Sequence, residues 1–342
     1  MPKRLILCFD GTWDRPDPTG IESNVCKFYE SLPNGTMADG SVQQKWYEAG
    51  VGTNWYDRIS GGAFGLGLDG KIQDGYQWLV ENYPEPDEHT TEVFIVGFSR
   101  GAYTARSLVG MIRNVGLLSP ENIHRMSDAY SIYRQRDANA DTDQAQAFRA
   151  RYSREITIEF LGVWDTVGAL GIPLSALQWL NKAEYAFHDT ELSKIVLNAA
   201  HAVAVDEHRI DYQVSLWDPT AKAGQTVEQR WFIGAHTDVG GGNSSQLLSA
   251  ITLRWMQDKA EAAGLVVDHV HKPTLTPANG NGPIYNSYKN FLSGLYAKTH
   301  PIYYRPISVV VGDNQVIDPT VQNRRNNDLA YKPQNRELPP LR

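Results

Sequence analysis

With 342 residues, 42% of them hydrophobic, the chain is long enough to bury a full core, and one large domain with insertions is expected. A net charge of -7 with scattered basic residues excludes a global attraction to nucleic acid, and two cysteines exclude a disulfide framework. No apolar stretch approaches the ~18 residues of a membrane-spanning helix.

Residues 4–9 form a β-branched, apolar run that stops at Asp10-Gly11-Thr12-Trp13-Asp14, which predicts a central strand closed by an Asp-Gly turn. The N-terminus enters this run without a signal-peptide apolar region, so a cytoplasmic protein is expected; secretion that uses no cleavable signal would leave no trace. Cys8 falls in the strand and Cys26 on a helix expected over 24–31, and both read as reduced core thiols. A second strand is expected from Lys45 into a turn at 50–52. The glycine-rich stretch 61–70 precedes an amphipathic helix carrying Ile72, Tyr76, Leu79 and Val80. Gly65, Gly67 and Gly70 fit the spacing of a dinucleotide-binding loop, but no apolar strand leads into them. A loop near the active site, or a structural turn, is the preferred reading, and no cofactor is expected.

The most informative stretch follows. An apolar, β-rich run from Thr91 ends in Gly97-Phe98-Ser99-Arg100-Gly101 and passes at once into a small-residue helix. That is the strand-turn-helix setting of a nucleophile elbow, which exposes a serine hydroxyl at the tip of a central strand. Ser99 is therefore the candidate nucleophile, and the backbone N–H of Arg100 a candidate oxyanion donor. The second donor is expected from the loop after the first strand, at Gly11 or Thr12.

Residues 121–151 suit helices of an insertion or cap, and 155–164 a strand ending in Asp165. An aromatic-rich segment at 177–187 and a mostly apolar helix at 192–206 complete a second helical insertion over 170–210. Residues 228–235 read as a strand ending in His236-Thr237-Asp238-Val239 and a triple glycine, and 247–263 as a helix stopped by Gly264. A loop is expected over 272–283 and an extended polar tail over 313–342. The whole is expected to be a single α/β-hydrolase domain over 1–342, with a mostly parallel central sheet and helices on both faces.

Three strand ends thus carry Ser99, Asp165 and His236, in the chain order of α/β hydrolases. In a parallel sheet these tips share one edge, so a hydroxyl, a base and an orienting carboxylate could converge there. Alternatives stay open: His188, His201 or His208 as the base, and Asp206 as the acid. Asp238 is expected to brace the glycine loop, with metal ligation the other reading; no Cys/His spacing suggests zinc. The aromatics Trp55, Phe64, Trp179 and Tyr185 could line an acyl site or pack in the core.

Together, Phe9-Asp10-Gly11-Thr12-Trp13, Gly97-Phe98-Ser99-Arg100-Gly101-Ala102, residues 162–168, His188-Asp189-Thr190 and residues 236–242 resemble the catalytic domain of the type VI secretion phospholipase-effector family. The resemblance runs from about residue 4 to about residue 265 and implies an α/β-hydrolase fold with Ser99, Asp165 and His236 as triad. It also implies ester hydrolysis, with lipid or phospholipid acyl esters as the leading substrates. With no transmembrane segment expected, any membrane contact would be peripheral. Asp14 stands where relatives often carry Asn. The competing expectation is a binding protein that keeps the fold without turnover.

Overall fold

The computed structural model describes residues 2–11, 21–50, 63–84, 91–135, 140–167, 191–310 and 313–335. Its centre is a mixed sheet built from β1 (Lys3–Phe9), β2 (Gly35–Thr36), β3 (Val42–Glu48), β4 (Thr91–Phe98), β7 (Ile158–Trp164), β8 (Val196–Ala204), β9 (Thr226–Phe232) and β10 (Gln315–Ile317). The strand order is β10-β9-β8-β7-β4-β1-β3-β2, parallel except for the edge strand β2. Two short strands, β5 (Leu117–Leu118) and β6 (Ser153–Arg154), pair outside it. The helices are α1 (Asn24–Glu30), α2 (Ala63–Asn82), α3 (Arg100–Val115), α4 (Met126–Tyr133), α5 (Asp143–Tyr152), α6 (His236–Gly240), α7 (Leu247–Ala262), α8 (Ser287–Asn290), α9 (Leu295–Thr299) and α10 (Pro319–Asn327).

Strand alternation feeds two apolar layers. Leu5, Leu7, Phe9, Val93, Ile95, Leu161 and Val163 face α2 to α5, whereas Ile6, Cys8, Phe94, Val96, Phe98, Phe160 and Trp164 face α1 and α7. With both faces covered, the central strands β1, β4 and β7 carry near-continuous apolar runs, as buried parallel strands do. The chain moves from β1 to β3 on one side and returns through α2 to β4 on the other. The carboxyl ends of β1 and β4 therefore flank a point where the strand order reverses, the place where open α/β sheets bind ligands.

Three expectations are corrected. Residues 192–206 do not form a helix: Val196–Ala204 is the strand β8, inserted between β7 and β9. Its alanines favour helix, but a strand buried on both faces has no period-2 signature to set against that. The glycine-rich stretch is helical from Ala63 onward, so Gly65 to Gly70 lie in the first turns of α2 rather than in a loop. The tail is not simply extended: Gln315–Ile317 joins the sheet edge, and α10 follows with Asp318 as N-cap and Pro319 at its first position. Thr12, Trp55, Trp179, Tyr185 and His188 lie outside the described residues. Residues 121–151 contain α4 and α5, packed with α3 on one face of the sheet.

Candidate active site

The turn after β4 is built by close backbone approach. A Cβ on Gly97 would lie 2.5 Å from the carbonyl oxygen of Gly101, and one on Gly101 would lie 2.1 Å from that of Phe9. Glycine at both positions lets α3 start directly over the tip of β1. Between them Ser99 is held at φ 57° and ψ -118°, a strained conformation for a residue with a side chain, and its N–H donates to the Trp164 carbonyl at 3.0 Å.

Ser99 Oγ lies 2.8 Å from His236 Nε2, and His236 Nδ1 lies 2.6 Å from Asp165 Oδ2. His236 opens the short helix α6, and its ring is flanked by Phe98 at 4.7 Å and Tyr212 at 5.2 Å. A Cβ on Gly240 would fall 2.0 Å from the Phe98 ring, so that glycine lets α6 press the ring against the imidazole. With Asp165 ionised, Nδ1 carries a proton toward the carboxylate and Nε2 is left to accept from the serine hydroxyl.

Asp165 is wholly buried, and Arg305 forms a two-pronged pair with it, Nη1 donating to Oδ1 at 2.6 Å and Nη2 to Oδ2 at 3.0 Å. The Ala204 N–H adds a third donor at 2.9 Å. Burial by itself would push the Asp165 carboxyl up; the Arg305 charge, followed by the bond from His236, overrides this and holds it well below the usual carboxylate range. Arg305 is itself fully buried and also donates to the carbonyls of Ala204 (2.9 Å) and Tyr212 (2.6 Å).

A second buried pair stands behind the imidazole. Glu207 accepts from Arg209 Nε and Nη2, both at 2.8 Å, from Ser287 Oγ at 2.9 Å and from the His236 N–H at 3.3 Å. The Arg209 guanidinium lies 3.4 Å over the Tyr212 ring. Two carboxylates are thus matched by two guanidiniums around His236. Sequence reading missed Arg305, Glu207 and Arg209. None belongs to a strand-end motif, and Arg305 comes from a segment that reads as irregular.

The rival residues are engaged elsewhere. His201 lies on buried β8 and accepts from the Thr166 N–H at 3.2 Å; burial, then the nearby Arg106 charge, lowers its pKa to about 3 and keeps it neutral. His208 bonds the Tyr303 carbonyl at 2.9 Å. Asp206 accepts from the Gly234 N–H and the Tyr331 hydroxyl. Asp238 accepts from Ala235 N, Tyr285 N and Asn243 Nδ2, bracing the turn around the glycines.

At the tip of β1, Asp10 is buried and accepts from Ser23 Oγ at 2.6 Å and from the Tyr47 hydroxyl. The Gly11 N–H donates to Asp10 Oδ1 at 2.7 Å, so of the expected oxyanion donors it is occupied here by its neighbour's carboxyl. Burial raises the Asp10 pKa to about 6 against these hydrogen bonds. The Arg100 N–H lies at the first position of α3, directly after Ser99. Among the described residues, Glu22, Cys26 and Glu30 bring three possible metal-ligand atoms within 4.8 Å of one another, but burial and the two carboxylates push the Cys26 thiol up to about 12. No described helix is long and apolar enough to cross a membrane.

The family model described as T6SS, phospholipase effector Tle1-like, catalytic domain matches residues 3–259. An uncharacterized protein of Saccharomyces cerevisiae is 31% identical over 241 residues, covering 64% of this chain and 33% of that protein. The solved structure of the Tle1 effector bound to the VgrG spike of the type 6 secretion system is similar at 19% identity and a TM-score of 0.43, covering 70% of this chain and 51% of that one. A crystal structure of an uncharacterized protein from Pseudomonas aeruginosa is similar at 19% identity and a TM-score of 0.44, covering 88% and 51%. The chain thus spans about a third of the curated relative and about half of each solved structure.

Proposed function

The chain belongs to the T6SS phospholipase effector Tle1-like catalytic-domain family, and from that premise we propose that it is a serine hydrolase of carboxylic esters, acting on lipid or phospholipid acyl chains. The observation that carries the reading is the continuous relay from Ser99 Oγ through His236 to Asp165, at 2.8 and 2.6 Å.

In the proposed reaction Ser99 Oγ attacks the ester carbonyl carbon while His236 Nε2 takes the hydroxyl proton. Asp165 holds the ring in the required tautomer and stabilises the imidazolium. The negative oxygen of the tetrahedral adduct accepts from the Arg100 N–H and from the loop after β1. There the Gly11 N–H must first exchange its bond to Asp10 for one to the substrate, and Thr12 is the other donor. Collapse of the adduct breaks the ester C–O bond, His236 returns its proton to the leaving alcohol, and the acyl group stays on Ser99. A water molecule then attacks the acyl-Ser99 carbonyl with His236 again as base, releasing the acid and regenerating the hydroxyl.

p-Nitrophenyl esters of graded acyl length, given to the wild type and Ser99→Ala, test the reading. Hydrolysis that vanishes in the variant supports it; equal hydrolysis by both overturns the nucleophile assignment. A following panel of phospholipids identifies the bond attacked. A folded wild type inert to every ester and to a fluorophosphonate probe would favour a binding protein instead.

A further inference from the structure

Between Asp268 and Asp313 the sequence contains no Asp or Glu, although the chain as a whole carries a net charge of -7. This acid-free stretch includes α8 and α9, and its inner side is bolted to the candidate active site. Arg305 pairs with Asp165, Ser287 Oγ donates to Glu207, the Tyr285 N–H donates to Asp238, and Phe291 packs on Tyr212, the ring beside His236. Within the lobe, Tyr288 donates to the His300 carbonyl at 2.5 Å, and Tyr296 stacks on the His300 ring at 4.1 Å. Leu292, Ser293 and Gly294 are all left-handed, with φ of 53°, 54° and 85°, in the link between the two helices.

Other side chains of the same segment are exposed. Leu295 is 57% exposed and Ile302 47%, where a lobe that only closed the site would bury them. Lys289 and Lys298 are exposed on the same segment. Exposed apolar side chains on the same segment as exposed lysines, in a stretch whose own sequence carries no acid, match a phospholipid surface whose headgroups are anionic and whose acyl region accepts leucine and isoleucine.

We propose that the lobe formed by residues 284–304 is the surface by which the protein docks on an anionic phospholipid bilayer. Leu295 and Ile302 enter the acyl boundary, Lys289 and Lys298 meet the headgroups, and the rigid inner contacts place the Ser99 site at the membrane surface. The inference deepens the hydrolase reading and rests on it for its purpose, though not for its test.

The docking test uses Ser99→Ala protein, so that turnover cannot alter the membrane, in co-sedimentation with vesicles of phosphatidylcholine alone or of phosphatidylcholine with phosphatidylserine. Binding is expected to the anionic vesicles, to weaken as salt is raised, and to fall at least about tenfold in Leu295→Asp/Ile302→Asp and in Lys289→Glu/Lys298→Glu. The same pairs on a wild-type background should hydrolyse a soluble short-chain ester at an unchanged rate, which reports their folding. If the leucine-isoleucine pair fails to fold, the lysine pair decides alone. Absence of anionic-vesicle binding, equal binding to both vesicle types, or variants that bind as well as their parent would overturn the proposal, including the case in which the face instead holds a second copy. Loss of soluble-ester turnover in the wild type would sink the hydrolase reading and leave the vesicle result standing on its own.

Discussion

Replacing Arg305 by Met tests whether the charge behind Asp165 matters to the reaction. The substitution keeps much of the side-chain volume but removes both bonds to Asp165 and those to the Ala204 and Tyr212 carbonyls. Stripping one partner from a fully buried ion pair costs about 3–5 kcal/mol, because the remaining charge is stranded. A chain of this length unfolds with an entropy of roughly 0.7 kcal/mol/K, so Tm should fall by roughly 4–7 °C in differential scanning calorimetry. The functional effect follows from Asp165. Its pKa is depressed, so its contribution to stability is present above the unfolded value of ~3.9 and is lost as pH falls through the folded one. Without the guanidinium, burial dominates and pushes the carboxyl up, so the acid limb of kcat/KM should rise by at least about one pH unit. Arg305→Lys restores the charge without the fork and should recover part of the shift. If Met lowers Tm but leaves the acid limb in place, or if Lys and Met behave alike, Arg305 is packing and no more.

Three further outcomes follow from the same geometry. Ser99→Gly removes the Cβ from a strained turn, so it should raise stability by about 1–3 kcal/mol, seen as a higher Tm, while ester turnover falls on the order of 10⁶-fold. Gly101→Ala forces a Cβ to 2.1 Å from a carbonyl oxygen of β1 that cannot move cheaply, so soluble yield and Tm should both drop, whereas Gly70→Ala, with open space around it, should leave them unchanged. Asp10 binds its proton more tightly folded than unfolded, so its contribution is full below about pH 4. That contribution, about 3 kcal/mol, is lost as pH rises through about 6. Denaturant titrations at pH 4 and 7 should show this difference between wild type and Asp10→Asn; equal pH dependence would contradict the assignment.

What could be read from the sequence and what could not divides along physical lines. The strands β1, β4 and β7 run straight into Asp10, Ser99 and Asp165, so both the strand and the polar side chain at its tip were legible, whereas β9 stops at Phe232 and His236 instead opens α6. Parallel pairing then brought Ser99, Asp165 and His236 to one edge without any need for sequence proximity. Strand β8 was not legible, because an alanine-rich run buried on both faces presents the composition of a helix. The placement of His201 on that strand, away from Ser99, could not be anticipated for the same reason. Arg305 and the Glu207–Arg209 pair act through tertiary contact, Arg305 lying 140 residues from Asp165, and no local spacing announces them. In the tail, the Asp318-Pro319 cap was a readable helix start that the polar composition obscured.

The most direct measurement is mass spectrometry of the protein after reaction with a fluorophosphonate, for the wild type, Ser99→Ala and a folded His236→Ala. One adduct is expected on Ser99 of the wild type, none at that position in Ser99→Ala, and labelling of His236→Ala slowed by several orders of magnitude. An adduct on another residue, or labelling of Ser99 at an undiminished rate without the imidazole, would contradict the assignment of Ser99 and His236.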